Sequence, residues 1–246
     1  MSRRVRIGLF LPGLGLFAAL LVWAVTGIPD FGHYRGPYGD VLNRIAVPER
    51  HATNAVGATV FDFRALDTLG EEFILFAAVM GVVLLLRHQA ERPEETVDAA
   101  DGDGLRVLGL LMVGPALVVG LWLAAFGYVT PGGGFQGGVA LAGGLLLVYT
   151  AWSYRSWHAL TAETAFDPAG AIGAGGYVLV GLAALVASLP FLRNLFGPGD
   201  TGTLWSAGSI GLLNWASALE VASANVILCA EFLKVYVVPG ARKAGE

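Results

Sequence analysis

The chain has 246 residues, of which 55% are hydrophobic and only 14% charged, with a formal net charge of −4 and a mean hydropathy of +0.65. A soluble domain carries about 25% charged residues, so this composition excludes an ordinary soluble globular protein and predicts an all-α polytopic membrane protein. The net charge gives no support for a nucleic-acid partner.

Six segments can cross a bilayer: 7–27, 68–88, 105–127, 135–157, 171–192 and 207–237. An apolar layer of ~30 Å needs ~20 helical residues. The first follows "MSRRVRIGLFLPGLG", which has an apolar region too long for a cleaved signal and no A-x-A site after it. It reads as a retained helix. The second is short, because its purely apolar part runs only from Phe73 to Leu86. It must begin near Thr68, which puts Glu71 and Glu72 at or inside the membrane edge.

Orientation follows from the basic residues. With the N-terminus cytoplasmic, Arg3, Arg4, Arg6, Arg87, Arg92, Arg106, Arg155, Lys234, Arg242 and Lys243 lie inside, and Arg35, Arg44, Arg50, Arg64 and Arg193 outside. The excess places both termini in the cytoplasm. The outer segment from Ile28 to Leu66 is rich in turn residues at first, and its stretch Thr53–Phe63 suits a short helix on or re-entering the membrane. The polar segment "RHQAERPEETVDAADGDG" separates a two-span region, 1–90, from a four-span region, 105–238. Residues 91–104 form an acidic cytoplasmic linker, and 239–246 a cytoplasmic tail.

Acids inside or near a span are expensive, and they usually face protein or water. "FDFRALDTLGEE" holds Asp62, Arg64, Asp67, Glu71 and Glu72 within twelve residues. Thr68-Leu69-Gly70-Glu71 fits a helix capping box, which leaves Asp62, Arg64 and Glu72 unexplained. The group reads either as a cap with an ion pair or as part of a proton or cation path. The last span carries Asn214, Glu220, Asn225, Glu231 and Lys234. At 100° per residue Glu220 and Glu231 fall within ~20° of one another, with Asn214 and Asn225 on a second line. Glu231 and Lys234, three apart, can pair. Glu220 has no basic residue within a turn. It must be protonated, or face a cation, water or another subunit; the structural alternative is a neutral acid bonded to a neighbouring helix.

Between the third and fourth spans lies "GYVTPGGGFQGG". Pro131, Gly132, Gly133, Gly134, Phe135, Gly137 and Gly138 form a turn without side chains where two helix ends approach. With Gly143 and Gly144 they continue as a small-residue stripe for close helix packing. No Walker Lys-Ser/Thr follows, so a nucleotide site is not expected. The single Cys229 and the scattered His33, His51, His88 and His158 predict neither a disulfide nor a metal site. No cofactor and no catalytic residue is expected.

Two of these stretches carry a resemblance. "TPGGGFQGGVALAGGLLLVYTAW" resembles the signature of the B subunit of multisubunit Na⁺/H⁺ antiporters of the Mrp or Mnh type. "TNAVGATVFDFRALDTLGEEFILFAAVMGVVLLLR" is similar to the extreme C-terminal segment of the A subunit of the same complexes. "ALEVASANVILCAEF" resembles the B subunit's last span more weakly. The resemblance implies a six-span chain joining the A-type piece, 53–88, to a four-span B-like domain. It also implies a multi-pass place in the plasma (inner) membrane of a prokaryote, partner subunits of the A, C, D, E, F and G types, and Na⁺ and H⁺ as transported ions. Asp62, Arg64, Asp67 and Glu71 match the A-type motif. The family's turn has a His where this chain has Tyr128, so a proton shuttle on that His is not open to it. The alternative is a structural subunit of a redox-driven pump with an Mrp-like module, such as a membrane-bound hydrogenase or a complex I relative. In either reading, redox chemistry belongs to partner subunits.

Overall fold

The computed structural model describes residues 3–28, 32, 36–86, 102–152, 154–161 and 163–236. The expected linker 91–104 and tail 239–246 thus lie, apart from residues 102–104, outside the described residues. Chain contacts define two units, Met1–Val41 and Leu42–Glu246. In the first, α1 (Arg3–Thr26) is apolar on all sides, and every described side chain on it is exposed. An evenly apolar helix suits lipid or another chain, not water.

α2 (Pro37–Arg50) crosses the division between the units. No helix is expected there from the sequence. Its acidic first turn at Asp40 and basic last turn at Arg50 complement the helix dipole. In the second unit follow α3 (Ala55–Ala58), a π-helical turn (Thr59–Phe63) and α4 (Ala65–Leu86). α5 (Asp103–Phe126), α6 (Gly134–Ala151), a short α7 (Tyr154–Leu160), α8 (Glu163–Val186) and α9 (Ile210–Tyr236) complete it. Among the described residues six helices, α1, α4, α5, α6, α8 and α9, are long and apolar enough to cross a membrane, and no strand occurs.

Two spans differ in extent from expectation. The fourth span stops at Ala151 instead of continuing to 157. The fifth runs 163–186, not 171–192. It stops because Ser188 takes φ +62° while Leu189 N–H donates to the Ala184 carbonyl and Ser188 N–H to Leu185. This is a Schellman closure, and Pro190 then prevents continuation. The upstream shift brings Asp167 into the span.

α9 is the central helix and packs on α4, α6 and α8, while α5 packs on α6. Glycines set these distances. A Cβ on Gly134 would stand 2.4 Å from the Asn214 carbonyl oxygen, and one on Gly138 2.8 Å from that of Ala218. One on Gly173 would stand 2.6 Å from the Glu220 nitrogen. The glycine stripe of α6 is therefore divided: Gly134 and Gly138 admit α9, whereas Gly137 and Gly144 admit α5. Gly143 faces open space, so its expected place in the packing stripe is not borne out.

A buried acidic pair between membrane helices

The glycine turn is held from outside by the segment that precedes α3. Asn54 Nδ2 donates to the carbonyls of Gly127 (2.6 Å) and Thr130 (3.2 Å), and Asn54 N–H donates to Tyr128 (3.1 Å). Asn54 Oδ1 also caps α3 at Val56 N–H. Thr53 Oγ1 donates to the Val129 carbonyl. Inside the turn Gly133 has φ +153°, a conformation open to glycine. The two motifs that carried the resemblance are thus bonded to each other.

Tyr128 occupies the position of the family's His. It is buried, its ring lies over Gly211, and its Oη donates to the Leu204 carbonyl at 2.6 Å. Burial raises its hydroxyl above the ordinary value of 10. Tyr128 therefore acts as a neutral donor that ties the turn to the loop before α9.

The acidic motif separates into structural pairs and a buried remainder. Asp62 pairs with Arg50 Nε, and the Arg50 guanidinium also lies 5.1 Å from the centre of the Phe63 ring. Arg64 pairs with Asp67 on the exposed surface. The expected capping box is not formed, because α4 begins one turn early at Ala65. Thr68 lies inside the helix and donates instead to the Val60 carbonyl at 2.6 Å, back across the π turn. Glu71 lines a cavity of about 160 Å³ together with Thr68 and Gly132–Gln136 of the glycine turn.

Glu72 is fully buried (0% exposed), and so is Glu220 (1%). The two carboxyls meet between α4 and α9. Among the described residues, none of their four oxygens makes a well-formed hydrogen bond. The neighbouring Tyr177, also fully buried, donates to the Ala65 carbonyl at 3.0 Å and stands beside Thr68 and Glu72. Two bare negative charges at such range in a low dielectric repel strongly. A proton or a cation shared between them removes that repulsion.

Further along α9, Glu231 is buried and borders a cavity of about 50 Å³ with Thr161 and Asp167. Lys234, its expected partner, has a side chain outside the described residues. Asn214 is buried and Nδ2 donates to the Ala124 carbonyl near the end of α5, while Asn225 Nδ2 bonds back to the Val221 carbonyl at 2.8 Å. Both Nδ2 groups of the second polar line thus bond to helix carbonyls, while the buried Asn214 Oδ1 meets no donor among the described residues. Sequence reasoning missed Tyr177 and Asp167. The displaced boundary of the fifth span hid Asp167, and no local signal distinguishes Tyr177. Among the described residues no three His, Cys, Asp or Glu side chains gather in a way that could hold a metal ion.

Residues 104–228 match the family described as a domain related to the MnhB subunit of Na⁺/H⁺ antiporter. An uncharacterised protein of Methanocaldococcus jannaschii is 30% identical over 204 residues, covering 73% of this chain and 77% of that protein. A probable A/B subunit of a K⁺/H⁺ antiporter of Rhizobium meliloti is 34% identical over 134 residues. That match covers 45% of this chain and only 13% of the far longer relative. Among solved structures, a chain of the membrane-bound sulfane sulfur reductase, an archaeal respiratory membrane complex, superposes with a TM-score of 0.73 at 26% identity. It covers 93% of this chain and 98% of its own. A chain of the Mrp complex from Dietzia sp. superposes with a TM-score of 0.72 over all of this chain and 27% of its own; at 23% identity it shows the shared fold.

The structural neighbours are parts of multisubunit membrane assemblies, and the six apolar helices together with the family match over residues 104–228 make this a multi-pass protein of the cell membrane. On the match over residues 104–228, the chain belongs to the family of MnhB-related subunits of multisubunit Na⁺/H⁺ antiporters.

Proposed function

We propose that this chain is a membrane component of a cation/proton exchanging complex, and that the Glu72–Glu220 pair lies on its ion path. The observation that carries this is four carboxyl oxygens between two apolar helices, fully buried and, among the described residues, without a hydrogen-bond donor of good geometry. Leaving a buried acid unsatisfied costs several kcal/mol in a purely structural protein. A site that binds and releases a proton or a small cation puts the same unmet acceptors to use. In this reading Glu71, which lines the cavity at the glycine turn, passes ions between that cavity and the pair. Asp62, Arg64 and Asp67 shape the entry as ion pairs, and Glu231 stands toward the other end of α9.

The chain itself catalyses no chemical conversion in this reading. The A-type piece and the B-like domain act as one unit, with both termini cytoplasmic, beside partners of the A, C, D, E, F and G types. The transported cation is Na⁺ or a related monovalent ion.

The test uses the assembled complex in everted membrane vesicles. Glu220→Gln and Glu72→Gln should each assemble normally and abolish the cation-dependent collapse of ΔpH. Normal exchange by both assembled variants rules the reading out. A second reading, a pump component driven by partner redox chemistry, is favoured by the reductase chain, 98% of which is covered by this one. The subunits that co-purify decide between them: those of an antiporter only, or others carrying iron–sulfur clusters.

A further inference from the structure

Beyond the acidic pair, α4, α8 and α9 line a cleft of about 200 Å³ that runs from the buried Glu220 to Asp167 and opens at the exposed Met80, Asp167 and Ala171. Its walls are otherwise apolar, with Met80, Val83 and Ala171 among them. Val83, Ile227 and Asp167 also border the smaller cavity that ends at Glu231. The two spaces therefore abut at Asp167, and Glu220 to Glu231 covers about 16 Å along α9. A water needs about 30 Å³ of space and two or more polar partners. The larger cavity has room for several, with a carboxyl at each end. Glu220 is 1% exposed, lines this cavity and, with only the Glu72 carboxyl beside it, makes no well-formed hydrogen bond among the described residues, so its unmet acceptors point to a ligand there.

We infer that the cavity holds a chain of water molecules that carries protons between Glu220 and the Glu231 end of the bundle, with Asp167 as the relay between its two chambers. This rests on the role proposed for the acidic pair and gives that pair its connection to one side of the membrane. Bonds are conserved throughout: a proton leaves one carboxyl or water oxygen as the next receives one. Pro168 beside Asp167 leaves no N–H at its own position, and Gly170, without a side chain, and Ala171, with only a methyl group, keep the passage open on the α8 side.

The experiment uses the assembled complex with Cys229→Ser, which removes the chain's sole cysteine. Ala171→Cys places a thiol on the exposed wall of the cleft, and Ile172→Cys places one on the exposed, apolar surface of α8 beside it, outside the cleft. A charged methanethiosulfonate reacts with the hydrated thiolate. It should modify Ala171→Cys and leave Ile172→Cys unmodified. Asp167→Asn and the plugging change Ala171→Phe should each slow proton-coupled exchange by about tenfold or more without loss of assembly. An unreactive Ala171→Cys overturns the water path even where Glu220→Gln abolishes exchange, and full exchange by Asp167→Asn overturns the relay. Full exchange by Glu220→Gln is a different failure, that of the acidic pair itself.

Discussion

At the scale of single residues, the acids of this chain differ in what surrounds them. Arg50→Ala leaves Asp62, 4% exposed at its side chain, without its counter-charge, a loss expected to cost about 3–5 kcal/mol. Arg64→Ala removes a pair whose side chains are 57% and 50% exposed and should cost less than about 1 kcal/mol. Thermal unfolding of the purified complex compares the two directly. Tyr128→Phe deletes the donor to Leu204 at a cost of about 1 kcal/mol. Because burial raises the Tyr128 hydroxyl above 10, its neutral form and its bond persist throughout the physiological range. That stabilisation is complete below pH 10 and is lost only as pH rises past the raised value. The pH dependence of exchange near neutrality should therefore be the same in wild type and Tyr128→Phe. A shifted profile would mean that Tyr128 takes part in proton transfer.

At the scale of elements, close approach to α9 is set where glycine removes a side chain. Gly138→Leu would drive atoms into Val221 and the Ala218 carbonyl, and Gly173→Leu into the backbone at Glu220. Overpacking of this kind costs about 1–3 kcal/mol or more. It should also move Glu220 away from Glu72, so exchange should fall along with stability. Gly143→Ala, which meets nothing within 4 Å, should match wild type in both. The sequence showed that glycines were concentrated here, but not which neighbour each served. A helix's period assigns faces; it does not say which helix stands opposite a face. The boundary of the fifth span has the same character. Apolar residues continue through Pro190 and Phe191, and only the backbone turning at Ser188 ends the helix.

At the scale of the whole second unit, the A-type motif and the glycine turn are joined through Asn54. Asn54→Ala removes two side-chain donors from turn carbonyls, at about 1–3 kcal/mol. It should raise the rate of amide hydrogen exchange in 127–134 while leaving that of α8 unchanged. Equal protection in the variant would mean that the turn holds its shape alone. The joint also bears on transport, since Glu71 and the turn line one cavity.

The sequence by itself determined the class, the six apolar helices and the identity of Glu72 and Glu220 as acids out of place, because hydropathy and charge are local properties. It could not determine that these two meet. They stand 148 residues apart, and helical period fixes only the direction each takes from its own axis. That Asp62 and Arg64 find other partners, that Tyr128 serves as a tie, and that Asp167 borders both inner cavities were decided by the tertiary structure alone. In each case the energy depends on which groups from distant segments come within a few ångströms, and only the packing of whole helices sets those distances.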